Sequence, residues 1–204
     1  MAALRKAAAL QVDGIEVDLR ATGDGLVVLH HDEDVQLPSG RRVPIASMSA
    51  EEFVLAHPEV PTLAAALSVR GRHVWLLELK PVRDPGPLLA GVRMVIRAMR
   101  PAAMLASFSA PLLRRAAEEI PGIPLVAVVK SAQDLEDFRG LNLRAVAAAK
   151  DVALEIPRRI EVWAWTAQTA DEGLSLAARG VKGIITDVPR ATLELCSNGA
   201  ASGG

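Results

Sequence analysis

Apolar and polar positions in this chain repeat with two periods, and stretches of each kind take turns along it. From residue 14 to residue 19 every second position is apolar, Ile15, Val17 and Leu19 alternating with Glu16 and Asp18, the pattern of a half-buried strand. Val74-Trp75-Leu76-Leu77 is apolar without a break, as in a strand covered on both faces within a parallel sheet. Reading onward in this way predicts strands over 14–19, 26–30, 73–79, 104–108, 124–129, 144–148, 161–166 and 183–186. Helical spacing predicts helices over 2–10, 49–55, 63–69, 87–99, 110–119, 132–138 and 170–178, with a short one near 191–196. Strand and helix in alternation is the order of an α/β fold built on parallel strands.

Strands 14–19 and 26–30 are joined by a tight turn at Thr22-Gly23-Asp24-Gly25 and count as one position with an excursion. Seven positions then remain, one fewer than the (β/α)8 TIM barrel needs. The length of 204 residues permits one domain. The expectation is therefore an α/β fold, a (β/α)8 TIM barrel lacking its first strand, over residues 1–196. Residues 197–204 are small and polar and read as a disordered tail. A barrel so built would leave open edges on strands 14–19 and 183–186.

Chemistry enters with the polar positions of two strands. Residues two apart on a strand face the same side, so Glu16 and Asp18 aim two carboxylates into one space, costly unless a cation sits between them. The next strand brings His31 and Asp32 at its end. Strand 73–79 stays apolar until Glu78, and Lys80 follows on the same face, at the C-terminal tip where α/β barrels hold their chemistry. Taken singly, Glu16 and Asp18 are as readily solvated edge residues, and Glu78 with Lys80 as readily a structural ion pair. Their combination favours a metal site.

Composition narrows the setting. Half of the residues are hydrophobic, enough for a sizeable core, and the formal net charge of −1 comes without a basic block, which argues against nucleic-acid binding. One cysteine, Cys196, excludes an intrachain disulfide framework and reads as an inert thiol. No run approaches the roughly 18 apolar residues of a membrane span, so a cytoplasmic protein without a membrane span is expected.

In order along the chain stand Gly14/Glu16/Asp18, Thr22/Asp24/Gly25, Val28/His31/Asp32, Pro61-Thr62-Leu63, Glu78/Lys80, Ser107-Phe108, Trp165-Thr166 and Gly183-Ile184-Ile185-Thr186-Asp187-Val188-Pro189. In these motifs, from about residue 5 to residue 190, the chain resembles the glycerophosphodiester phosphodiesterases. The resemblance implies a metal-dependent hydrolase that cleaves a small-molecule glycerophosphodiester to glycerol 3-phosphate and an alcohol, in lipid and glycerol metabolism. It implies Glu16, Asp18 and Glu78 as ligands of a divalent cation, Mg²⁺ or Ca²⁺, which suit hard oxygen donors. It implies Lys80 as a fixed positive charge beside the phosphate and His31 as general acid for the departing alkoxide. Trp165 and Phe108 would line the substrate pocket, though each is as readily core, and Arg41 and Arg42 in the turn-rich segment 36–45 are further candidates to face a phosphate.

The family begins with a strand ending in His-Arg-Gly, whose histidine is the base that activates the attacking hydroxyl, and this chain is expected to start inside the helix that follows. His30 neighbours His31 and on a regular strand would face the other way; His57 lies in a loop, and His73 at the far end of its strand. The chain as it stands should therefore turn over poorly. The alternative is a metal- or phosphate-binding remnant of the same fold without turnover. A related barrel phosphodiesterase that cleaves phospholipid head groups by cyclisation would need the same absent histidine. Head group, choice of Mg²⁺ or Ca²⁺ and oligomeric state stay open in the sequence.

Overall fold

The computed structural model describes residues 1–201, with side chains for residues 1–195. Two compact units divide the chain, Met1–Ile123 and a second beginning at Pro124. The inert-thiol reading of Cys196 falls on a side chain outside the described residues.

The first unit runs α1 (Ala2–Ala9), β1 (Gly14–Ala21), β2 (Val27–Leu29), β3 (Asp34–Gln36), β4 (Arg42–Pro44), α2 (Ala50–Ala56), α3 (Leu63–Leu67), β5 (Val74–Leu79), α4 (Gly86–Met99), β6 (Ala103–Ser107) and α5 (Ala110–Glu119). Its sheet has the order β6-β5-β1-β2. β1, β5 and β6 are parallel, each reached through helical segments, while β2 folds back antiparallel onto β1 with Leu19 opposite Leu29. The edge of β1 expected to be open is thus covered over its second half.

The second unit runs β7 (Leu125–Val129), a 3₁₀ segment (Gln133–Phe138), β8 (Leu143–Ala149), β9 (Glu161–Ala167), α6 (Ala170–Ala178), β10 (Gly183–Thr186) and α7 (Pro189–Ala201). Its strands are parallel in the order β7-β8-β9-β10. The α/β class and the strand–helix alternation match expectation. Three local differences stand out. Within the helix expected over 132–138, Gln133–Phe138 wind as 3₁₀ rather than α. α7 continues to Ala201, so the stretch expected to be a disordered tail is helical as far as Ala201, and residues 202–204 lie outside the described residues. A third is the β3–β4 hairpin inside the segment expected to be loop.

That hairpin closes a small satellite core over the site end of β1. Val35, Ile45, Met48 and Phe53 are buried together with Val28, holding β3, the 3₁₀ turn Ile45–Ser47 and α2 as one piece. The Thr22/Asp24 motif ties it on. Thr22 Oγ1 donates to Asp24 Oδ1 at 2.6 Å and accepts from Leu26 N–H at 3.0 Å, while the Asp24 carboxylate accepts from Ala50 N–H at the start of α2. The hydrogen bond from Thr22, followed by that from Ala50, holds the Asp24 carboxyl below its usual range. α2 itself starts in a capping box between Ser49 and Glu52.

Gly25 takes the turn at φ +91°, where other residues are strained, and Gly91 lets α4 lie against that turn. A Cβ at Gly91 would come 2.4 Å from the Gly25 carbonyl oxygen and 2.6 Å from Val27 Cγ2. No helix among the described residues is long and apolar enough to cross a membrane.

Candidate active site

The alternation of β1 sends Ile15, Val17 and Leu19 into the core and leaves Glu16 and Asp18 on the other face, each half-buried. Parallel pairing with β5 sets Asp18 directly across from Glu78 and Glu16 across from Leu76. Same-face residues on adjacent strands are neighbours, so three carboxylates from two strands meet: one oxygen from each of Glu16, Asp18 and Glu78 lies within 4.8 Å of the others.

Lys80 follows β5 and turns its ammonium into this group. Nζ pairs with Asp18 Oδ1 at 2.7 Å and with Glu78 Oε1 in a still closer contact. Burial pushes the Glu78 carboxyl above its usual range, and the Lys80 and His31 charges that oppose this, partly offset by the Asp18 carboxylate, do not cancel it. For Lys80 burial works downward, but hydrogen bonds and charge from Asp18 and Glu78 outweigh it and raise the ammonium above its ordinary value. Three carboxylates against one ammonium leave the cluster two negative charges in excess when all are ionised.

β6 supplies the next wall. Buried Ser107 donates from Oγ to the Leu79 carbonyl at 2.8 Å and accepts from Ser109 N–H, which stitches the tip of β6 to that of β5. Phe108 follows, with Lys80 Nζ 5.9 Å from its ring centroid, inside cation–π range.

His31 stands beside this cluster and mostly in solvent, its side chain 73% exposed. Its Nδ1 lies 2.9 Å from Asp32 Oδ1, and this hydrogen bond holds the Asp32 carboxyl below its usual range. β2 ends at Leu29, one residue short of the strand expected over 26–30. His30 N–H still pairs with the Asp18 carbonyl at 3.1 Å, which sets His30 across from Asp18, and its Nδ1 lies 2.9 Å from the Asp32 carbonyl oxygen.

Trp165 belongs to the second unit, on β9, where its indole N–H donates to the Ala147 carbonyl at 3.1 Å. Arg42 lies on β4, with Asp34 and Asp32 of its own hairpin as neighbours. Nothing in that pairing draws it to the carboxylate cluster.

Arg20 is the residue that sequence reasoning missed. It is the third member of the Glu16, Asp18 series on the same face of β1, and that spacing was its only signal. Its Nε and Nη2 donate to the His31 carbonyl at 3.2 and 3.1 Å and Nη1 to the Pro81 carbonyl at 2.9 Å, so one guanidinium ties the His31 loop to the end of β5. Burial lowers its pKa, against the raising effect of Glu33 and Asp18. An Arg20→Met variant should lose about 1–2 kcal/mol in chemical denaturation, with amide exchange fastest at His31 and Val82, because two carbonyls lose their donors.

The model of the glycerophosphoryl diester phosphodiesterase family matches residues 1–191. A curated relative, the glycerophosphodiester phosphodiesterase of Caldanaerobacter subterraneus subsp. tengcongensis, is 23% identical over 224 residues, spanning 98% of this chain and 92% of its own. An Oleispira antarctica phosphodiesterase solved with the product sn-glycerol-3-phosphate superimposes with a TM-score of 0.81 at 19% identity, covering 96% of this chain and 90% of that one. The glycerophosphodiester phosphodiesterase of Thermotoga maritima gives 0.71 at 19% identity, covering 94% and 88%. These likenesses bear out the TIM-barrel fold class expected from the order of strands and helices.

Proposed function

The chain belongs to the glycerophosphoryl diester phosphodiesterase family, a family of phosphoric diester hydrolases, and from that premise we propose that it cleaves glycerophosphodiesters to sn-glycerol 3-phosphate and an alcohol with a divalent cation held by Glu16, Asp18 and Glu78. The observation that carries this reading is the meeting of three carboxylates beside one ammonium. An all-oxygen donor set with two uncompensated negative charges fits a hard divalent ion, Mg²⁺ or Ca²⁺, and offers nothing to a thiophilic one. Such an ion supplies Lewis-acid polarisation of the phosphoryl oxygens.

The remaining roles fall to side chains of the chain itself. Lys80 adds fixed positive charge where the phosphate oxygens gain negative charge, and its raised pKa keeps that charge in place. Phe108 walls the same corner. His31, oriented through Nδ1 by Asp32, is the general acid that protonates the departing alkoxide from its other nitrogen.

Neither His57 nor His73 stands free to take the proton of the attacking hydroxyl, and His30, across from Asp18, has only its second ring nitrogen left for that task. His30 is engaged with the Asp32 carbonyl, His57 faces Glu59 and packs on Phe53, and His73 is buried edge-on to Trp75. Loss of one acid/base partner lowers rates by roughly 10²–10⁴-fold, so slow turnover belongs to the proposal. The same observation favours one second reading, a fold that binds cation and phosphodiester without cleaving.

Incubation with glycerophosphocholine and glycerophosphoethanolamine, with and without chelator, decides between them. Chelator-sensitive release of sn-glycerol 3-phosphate supports the hydrolase. Cation-dependent thermal stabilisation without release supports the binding form, and neither response would refute both.

A further inference from the structure

Beyond Arg20 and Lys80 the site end of the first unit opens into a cavity of about 800 Å³. A narrow cleft lined by Arg20 and Lys80 shares Glu33, Ala46 and Val82 with that cavity, so the two spaces adjoin. Charge is distributed unevenly across them. The cleft has Arg20 and Lys80 against Glu33 in its lining, one positive charge in excess, whereas the cavity beyond has Glu33 and Asp84 against Arg83, one negative charge in excess. Pro44, Val82 and Leu88 are among its apolar walls, and no aromatic residue lines it.

We propose that this cavity receives the alcohol end of the substrate and selects a primary ammonium two carbons from the ester oxygen, as in glycerophosphoethanolamine. The proposal rests on the phosphodiesterase reading, since it needs the phosphate at Lys80. A zwitterion with its phosphate there lays its positive end towards Glu33 and Asp84, along the polarity of the lining. A primary ammonium brings three N–H donors to those carboxylates in charge-assisted hydrogen bonds. A quaternary ammonium has no donor and is held best by aromatic faces, which this cavity lacks. A glycerol head group brings no charge at all.

Calorimetric titration of the intact chain with Mg²⁺ present tests this, with product release followed in parallel. Glycerophosphoethanolamine should bind at least about tenfold more tightly than glycerophosphoglycerol, with glycerophosphocholine between them. Glu33→Gln and Asp84→Asn should each erode that preference, and Asp84→Asn, at a position that lines the cavity and not the cleft, should leave affinity for sn-glycerol 3-phosphate unchanged. Equal affinities for the three diesters, or an Asp84→Asn variant that weakens all ligands alike, would overturn the head-group assignment and leave the hydrolase reading standing. Failure of sn-glycerol 3-phosphate itself to bind would refute the hydrolase reading, and the head-group assignment with it.

Discussion

A Glu78→Gln variant should lose turnover by about 10³-fold or more and lose its thermal response to Mg²⁺ or Ca²⁺, while remaining folded. Glutamine keeps the length and the acceptor facing Lys80 but removes one of the three anionic oxygens that meet at the cluster. Lewis-acid stabilisation of a transition state is worth several kcal/mol, and each 1.36 kcal/mol is a factor of ten in rate, which sets the expected loss. Stability without cation should hold or rise slightly, because burial already disfavours the ionised form of Glu78. That split separates a ligand from a structural carboxylate. The readouts are initial rates of sn-glycerol 3-phosphate release and melting temperature against cation concentration. A variant that keeps both its rate and its cation response would remove Glu78 from the cation site. Glu16→Gln and Asp18→Asn should behave alike in both measurements.

The cluster was legible in the sequence because its members obey strand alternation. Glu16 and Asp18 interrupt an apolar face at a spacing of two, and Glu78 ends an apolar run, so their convergence needed only the parallel pairing of β1 with β5. The β3–β4 hairpin was not legible. Its strands span only Asp34–Gln36 and Arg42–Pro44, too short for a period to declare itself, and its burial rests on Val35 packing with Ile45 and Phe53 from further along the chain. Arg20 escaped for a different reason. Its partners are the carbonyls of His31 and Pro81, and every residue has a carbonyl, so no side-chain pattern announces the contact. For the histidines the sequence offers less purchase, since β2 ends at Leu29 and alternation sets facing only within a strand.

Replacing Lys80 by methionine should cost about 3–5 kcal/mol of stability in chelator at about pH 8, the largest stability effect expected of a single change here. Lys80 is the ammonium between Asp18 and Glu78, and its removal leaves buried negative charge without a counter-charge. The loss should depend on pH with a definite sign. Because the folded-state pKa of Glu78 is raised, the stability linked to its protonated form is fully present below the unfolded value and is lost as pH rises through the folded one. Without Lys80 the chief opposing cause disappears and that window extends further upward. The variant should therefore be more stable at about pH 5 than at about pH 8 when chelator is present. Added Mg²⁺ or Ca²⁺ should restore stability at the higher pH, by about 2.7 kcal/mol at a hundredfold excess over the dissociation constant. Denaturant melts at the two pH values, with chelator and with cation, read all three effects. A variant equally stable at both would mean that Asp18 and Glu78 do not depend on Lys80 for their charge.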